Sequence, residues 1–212
     1  MAALQNEAYT PSQVSAVTGL PLPAVHKAIE HKLIRPKRVR EGHSVQRLLS
    51  RSHAVYLRME ATGLRSLPLP ARRQVARAVE HDPGIDAMFI SEGSVILIQC
   101  KSARKEVEAG FRRLAEATRM VESDREIMRG APVYKGTRIP VHTIAGMLSQ
   151  GATVAEILEG YPALTREKIE LAPMYAKHFL AEGVLSSARG PSVRRDAIAN
   201  GALAKVDEVP DR

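Results

Sequence analysis

The stretch Thr10-Pro11-Ser12-Gln13-Val14-Ser15-Ala16-Val17-Thr18-Gly19, followed two residues later by Leu22-Pro23-Ala24-Val25-His26-Lys27-Ala28-Ile29-Glu30-His31, decides the fold of the first part of the chain. Thr10 is suited to cap a helix, Pro11 to its first position, and Gln13 to the third residue after the cap. Val14 and Val17 share a face, and Gly19 is a C-terminal stop. In the second segment Val25, Ala28 and Ile29 recur at i, i+3 and i+4, which predicts a short amphipathic helix. His26, Lys27, Glu30 and His31 fall outside that stripe. Two short helices around a glycine-containing turn form a helix-turn-helix pattern, whose second helix is sized for the major groove of DNA.

Outward from this core, Arg35-Pro36-Lys37-Arg38-Val39-Arg40-Glu41-Gly42 reads as a basic wing ending in a glycine turn. Arg35, Lys37, Arg38 and Arg40 are the candidate phosphate contacts, and His26 and Lys27 the candidate groove contacts. Phosphate contacts supply affinity and register, and base contacts supply sequence. A longer helix is expected from Ser44, with Val45, Leu48, Leu49, Val55, Tyr56 and Met59 on its apolar side and Gly63 at its end. Another follows Leu69-Pro70, with Val75 and Val79 inward. Its Arg72, Arg73 and Arg77 read as a solvated face, or as a second phosphate contact.

Charge supports a nucleic-acid partner. The chain has 212 residues and a net charge of +8. Residues 1–82 hold thirteen Lys and Arg against six Asp and Glu, so nearly all the excess sits in this module. An evenly solvated surface does not segregate charge in this way. Aromatic residues make up 4% and Trp is absent, which disfavours a large aromatic ligand pocket. No run approaches the roughly 18 apolar residues that span a bilayer, and no secretory signal is visible. The single cysteine, Cys100, leaves no internal disulfide and no cysteine-rich metal site. A cytoplasmic protein with no membrane role, no metal and no cofactor is expected.

The middle of the chain, 83–128, reads as a hairpin and a helix. Asp86-Ala87-Met88-Phe89-Ile90 and Val95-Ile96-Leu97-Ile98-Gln99 are strand-like around Ser91-Glu92-Gly93-Ser94. From about Ser102 to Glu122, Val107, Phe111, Leu114, Thr118 and Val121 repeat at heptad spacing. That seam would pack on the hairpin or on a second copy of the helix, making this a connecting or dimerising element. Asp86 with Gln99-Cys100-Lys101 also resembles the Asp…Gln-x-Lys core of Mrr-type restriction nucleases. That resemblance implies an acidic residue holding Mg²⁺ and a lysine beside the attacking water. Otherwise Lys101 ends a strand and Cys100 is a small core residue.

In the C-terminal part, Gly130-Ala131-Pro132-Val133-Tyr134-Lys135-Gly136-Thr137-Arg138-Ile139-Pro140-Val141 opens a second module over 129–182. Pro132 to Lys135 is extended, and Gly136 permits a turn that a side chain would block. A helix from Pro140 carries Ile144, Met147 and Leu148 inward and stops at Gly151. Thr153 caps a helix with Val154, Ile157 and Leu158. Thr165 caps a third, with Ile169, Ala172, Tyr175 and Ala176 as a stripe and Pro173 as a bend or break. This is a compact three-helix unit, again helix-turn-helix-like. Arg138 is a candidate partner for a helix-end carboxylate. The functional alternative gives Lys135 and Arg138 a phosphate or protein contact. His142 is a surface or packing residue. Residues 183–212 have few large apolar groups and are expected to order only on a partner.

Two further resemblances sharpen this picture. The run from Tyr9-Thr10 to Arg35-Pro36 resembles the MerR-type winged helix-turn-helix, with Pro23, Ala24, His26 and Lys27 standing where that family usually carries aromatic and Arg residues. Val133 to Val141, Gly151, Glu156-Ile157-Leu158 and Tyr161-Pro162-x-Leu164-Thr165 resemble the DUF433 domain of VapB-type antitoxins in type II toxin–antitoxin systems. That resemblance implies a PIN-type ribonuclease toxin, encoded by an adjacent gene, as partner. It also implies autoregulation of the operon through promoter DNA, and an assembly that is a homodimer or a hetero-oligomer with the toxin. Lys135, Gly136, Thr137 and Arg138 match its motif. On this reading, Arg189, Arg194 or Arg195 of the tail would pair bidentately with the toxin's metal-binding carboxylates.

The expected fold is mainly α with a small β-hairpin, an α+β chain of two helix-turn-helix-like modules joined by a hairpin and a long helix. The expected function is a non-enzymatic antitoxin. A stand-alone transcriptional regulator is the alternative. A metal-dependent nuclease built on Asp86, Gln99 and Lys101 is the third reading.

Overall fold

The computed structural model describes residues 8–41, 44–91 and 95–186. It is mainly helical, with three separate antiparallel strand pairs among these residues. The described residues divide into two compact units, the first running to Ala109 and the second starting at Gly110. No described helix is long and apolar enough to cross a membrane.

In the first unit, α1 (Pro11–Thr18) begins as its sequence dictates. The Thr10 side chain accepts from the Gln13 N–H, and the Gln13 side chain accepts from the Thr10 N–H, a complete capping box. Gly19 closes the helix at φ 74°, a left-handed conformation that costs a side-chain-bearing residue free energy. The second helix, α2 (Leu22–Glu30), buries Val25 and Ala28. Leu33 and Ile34 are buried just beyond it.

The expected helix from Ser44 is replaced by a strand. β1 (Lys37–Glu41) pairs with β2 (Ser44–Leu48), Lys37 opposite Leu48 and Val39 opposite Gln46. Val45, expected on an apolar helix face, is 55% exposed. Residues 44–48 alternate in period 2, so they extend the wing into a true hairpin. Tyr9 and Leu49 exchange backbone hydrogen bonds beside it, at 2.9 and 2.8 Å.

The helix begins seven residues later as α3 (Arg51–Ala61), capped by Ser50. Here the capping residue at the third position is a histidine: His53 Nδ1 accepts from the Ser50 N–H at 3.2 Å. α3 is the central element, with His53 through Leu57, Met59 and Glu60 all buried. A 3-10 turn at Leu64–Ser66 leads to α4 (Leu69–His81), which packs on α3 through Ala71, Val75, Ala76 and Val79. Then come β3 (Ala87–Ser91) and β4 (Val95–Gln99), paired with Phe89 opposite Leu97 and Ile90 opposite Ile96.

His53 gives the first unit a pH dependence. Burial pushes its pKa below the ordinary histidine value, against the opposing pull of the Glu80 carboxylate. Its Nε2 lies 3.5 Å from Glu80 Oε1, too long for a good hydrogen bond. A base whose folded pKa is depressed is held neutral by folding, so stability is complete above the unfolded value of about 6.5 and declines as pH falls towards the folded pKa. Protonation would also remove the Nδ1 acceptor that caps the helix. Denaturant melts at pH 7.5 and pH 5.5 should therefore show a loss on acidification. His53→Gln keeps an acceptor at the same capping position and should flatten that loss.

A long helix, α5 (Lys101–Arg119), follows the hairpin. It ends earlier than the heptad spacing predicts. Val121–Glu122 forms β5, pairing with β6 (Val133–Tyr134) so that Val121 faces Tyr134. The seam residues Val107, Phe111, Leu114 and Val121 are all buried within the chain.

The second unit continues with α6 (Val141–Ser149), α7 (Val154–Gly160) and α8 (Arg166–Ser186). Thr153 and Glu156 form another reciprocal capping box. Pro173 lies inside α8 without ending it. Val121, Tyr134, Val141, Ile144, Ile157, Leu164, Ile169 and Ala172 make the core. Burial raises the Tyr134 pKa, and its hydroxyl donates to the Lys168 carbonyl at 3.1 Å.

Candidate nucleic-acid interface

The wing places its cations on two faces. In an antiparallel pair, alternate residues share a face. The register therefore sets Arg38, Arg40, Val45 and Arg47 together, with Arg38 directly opposite Arg47. All four are exposed. Lys37 is also exposed but points to the other face, alongside half-buried Val39, Gln46 and Leu48. Arg47 is absent from the sequence-based candidates because residues 44–48 were expected to be helical. The signal that finds it is the period-2 alternation of Ser44–Leu48 just after a basic strand. Like charges directly across a hairpin destabilise it. A phosphate between Arg38 and Arg47 would reverse the sign of that interaction.

On α2, Lys27 and Glu30 are exposed and His26 is half-buried, and His31, just past the helix end, is exposed. Arg35 is exposed between helix and wing. The structure thus brings Arg38 and Arg40 onto one surface with Arg47 and keeps Lys27 on the exposed side of α2.

Long-range polar contacts hold this unit in shape. Arg58 of α3 donates from Nη1 to the Thr18 carbonyl at 2.9 Å, fixing the end of α1 beside the turn. Its Nε donates to Glu106 of α5 at 2.6 Å. The Arg58 and Ser102 hydrogen bonds hold the Glu106 carboxyl below the usual carboxylate range. Arg72, expected on a solvated face, instead grips buried Glu60 through Nε at 2.7 Å and Nη2 at 2.8 Å. The Tyr56 hydroxyl donates to the same carboxylate. Burial and that carboxylate push the Tyr56 pKa up. Arg73 and Arg77 are exposed.

Asp86, Gln99 and Lys101 sit at the base of a two-stranded hairpin. The Asp86 carboxylate lies 3.1 Å from Arg104 Nη1 and 3.6 Å from Lys101 Nζ. It is thus matched by cations rather than by a second acid. Among the described residues no group of three or more His, Cys, Asp or Glu is placed to hold a metal ion. Cys100 is buried, which raises its thiol pKa.

In the second unit the Lys135–Arg138 segment is a tight turn. Gly136 has φ 73°, and the Thr137 N–H donates to the Tyr134 carbonyl at 3.0 Å. The Thr137 hydroxyl donates to the same carbonyl at 2.8 Å and accepts from the Ile139 N–H at 3.1 Å. The Gly136 N–H donates to Glu122 Oε1 at 3.0 Å. Gly136 and Thr137 therefore shape the backbone. Lys135 and Arg138 are exposed, and among the described residues no carboxylate pairs with Arg138. His142 is exposed at the start of α6. Arg189, Arg194 and Arg195 lie outside the described residues.

Gly136→Ala should destabilise the second unit by roughly 1–2 kcal/mol, because a Cβ is strained at positive φ even though nothing lies within 4 Å of it. A thermal melt of the variant checks this. An unchanged melting temperature would contradict the requirement for glycine.

Residues 121–176 match the model of the family described as a protein of unknown function, DUF433. The match begins at the first residue of β5 and ends within α8, so the DUF433 segment spans the core of the second unit. Over 64 residues the chain is 44% identical to "Uncharacterized protein y4eO" of Sinorhizobium fredii (strain NBRC 101917 / NGR234). That alignment covers 30% of this chain and 29% of the relative, so the chain spans under a third of the relative's length. Among solved structures, Rv2018 from Mycobacterium tuberculosis aligns over 77% of this chain and 96% of its own, at 13% identity and a TM-score of 0.29. A likeness that slight carries no argument about function.

Proposed function

We propose that this chain is a non-enzymatic, DNA-binding antitoxin. Its first unit would bind promoter DNA, with α2 in the major groove and the Arg38, Arg40 and Arg47 face of the wing on the flanking backbone. Its DUF433 segment and the residues after it would hold a PIN-type ribonuclease in the cytoplasm. The DNA half is supported by one observation: two short helices joined by a turn, followed by a hairpin that carries three exposed guanidinium groups on a single face. The toxin half rests on the match of residues 121–176 to DUF433 and on the antitoxin resemblance of their motif. Lys135 and Arg138, exposed beside the tight turn, are the proposed partner contacts there. Arg189, Arg194 and Arg195 are proposed to enter the toxin's carboxylate cluster.

Two measurements test the two halves. Binding of the full chain to DNA from upstream of its own gene should weaken steeply with salt, since phosphate neutralisation releases counterions. Equal affinity at low and high salt would sink the DNA reading. Co-expression with the neighbouring gene's product should give a stable complex in which RNA cleavage is suppressed. If neither association nor suppression occurs while DNA binding persists, the chain is a stand-alone transcriptional regulator.

A further inference from the structure

The outward stripe of α2 is Pro23, Lys27 and Glu30, exposed at i, i+4 and i+7 while Val25 and Ala28 are buried. Glu30 is out of place there electrostatically. Residues 8–40 hold six Lys and Arg and a single carboxylate, this one. It is also the last residue of α2. A carboxylate at that end meets the negative pole of the helix dipole, so it weakens the helix. Lys27 stands three residues before it, and base before acid is the poorer order for a helical pair. Among the described residues no ion pair or side-chain hydrogen bond holds Glu30. Local stability therefore gives no reason for an acid at this position.

On a face that meets DNA, phosphates repel the same charge whatever the sequence beneath. One contact reverses that. In the major groove cytosine offers an N4 amino donor with no acceptor of its own beside it. Adenine sets its N6 donor next to N7, an acceptor, and guanine and thymine present acceptors. A carboxylate only accepts, so it fits cytosine and is opposed by the other edges. We propose that Glu30 is the specificity-determining residue of α2, its carboxylate accepting from the N4 amino group of a cytosine in the DNA site. Lys27 donates to guanine O6 and N7 in the adjoining base pair. Three helical residues rise about 4.5 Å, against about 3.4 Å for one base step. Glu30 acts chiefly by exclusion: it penalises every other sequence, in a module whose exposed cations favour all DNA alike. The inference rests on the DNA reading above and gives it a sequence requirement.

Selection from a library of randomised DNA duplexes by the full chain tests it. The wild type should enrich cytosine at one position, at least about fivefold over each other base. Glu30→Ala should lose that enrichment while binding unselected DNA about threefold more tightly, because a repelled charge is gone. Glu30→Gln should move the preference to adenine, whose N6 and N7 suit an amide. Both variants should melt at or slightly above the wild-type temperature, because the acid opposes the helix dipole. The same base preference in wild type and Glu30→Ala overturns the proposal. So does an equal weakening of Glu30→Ala on every sequence, the mark of a merely structural role. A wild type that binds in a salt-dependent way yet enriches no base overturns the inference and leaves the DNA reading standing. A wild type with no salt-dependent binding to the library removes the DNA reading and this inference together.

Discussion

Glu60→Ala should cost the first unit about 3–5 kcal/mol, the usual penalty for breaking a buried ion pair by removing one partner. Glu60 is 3% exposed and accepts from Tyr56 and twice from Arg72. Its loss leaves a guanidinium and a phenol without their acceptor where α3 meets α4. Against the roughly 5–15 kcal/mol that holds a typical domain together, this is a large fraction. For a unit of this size the melting temperature should fall by at least 12 °C or so. Glu60→Gln should lose less, because an amide oxygen still accepts. Replacing the pair together, Glu60→Met with Arg72→Leu, should approach wild-type stability, because nothing charged is then left buried. A Glu60→Ala protein that melts like the wild type would mean that the pair is solvated in solution.

The second large effect is on DNA. Arg40→Ala with Arg47→Ala should lower affinity for promoter DNA about thirtyfold, at roughly 1 kcal/mol for each phosphate contact. The slope of log affinity against log salt should shrink by about 1.8, at about 0.9 per phosphate released. Weakening should be uniform across DNA sequences, because these residues position and do not read. The double variant should fold at least as well as the wild type, since removing Arg47 relieves its repulsion with Arg38 across the hairpin. Arg73→Ala with Arg77→Ala, on the exposed side of α4, is the matched control and should change little. If the two pairs have equal effects, the cationic surface is diffuse and the wing has no special role.

Much of this architecture was legible because it is encoded locally. Thr10 with Gln13, Thr153 with Glu156, Gly19 and Gly136 each act within a few residues, and each does what its position dictates. The β3–β4 hairpin was legible for the same reason. The wing's second strand was not, because Val45, Leu48, Leu49 and Val55 fall at intervals that also suit a helix. Only pairing with β1 decides between the two periods. Val121 continued a heptad series, yet its partner, Tyr134, lies beyond the reach of a periodicity argument. Of the site, the basic strand was visible and Arg47 was not. Arg72 looked like surface charge because Glu60, which holds it, sits on another element.

Each of the three strand pairs joins neighbours in sequence, and several helices carry their own start signals. Chains built from such short loops fold quickly, because little closure entropy must be overcome before contacts form. The described part of the first unit ends at Ala109, before the DUF433 segment begins at residue 121. On the ribosome the amino-terminal half can therefore reach its native form while the rest is still being translated.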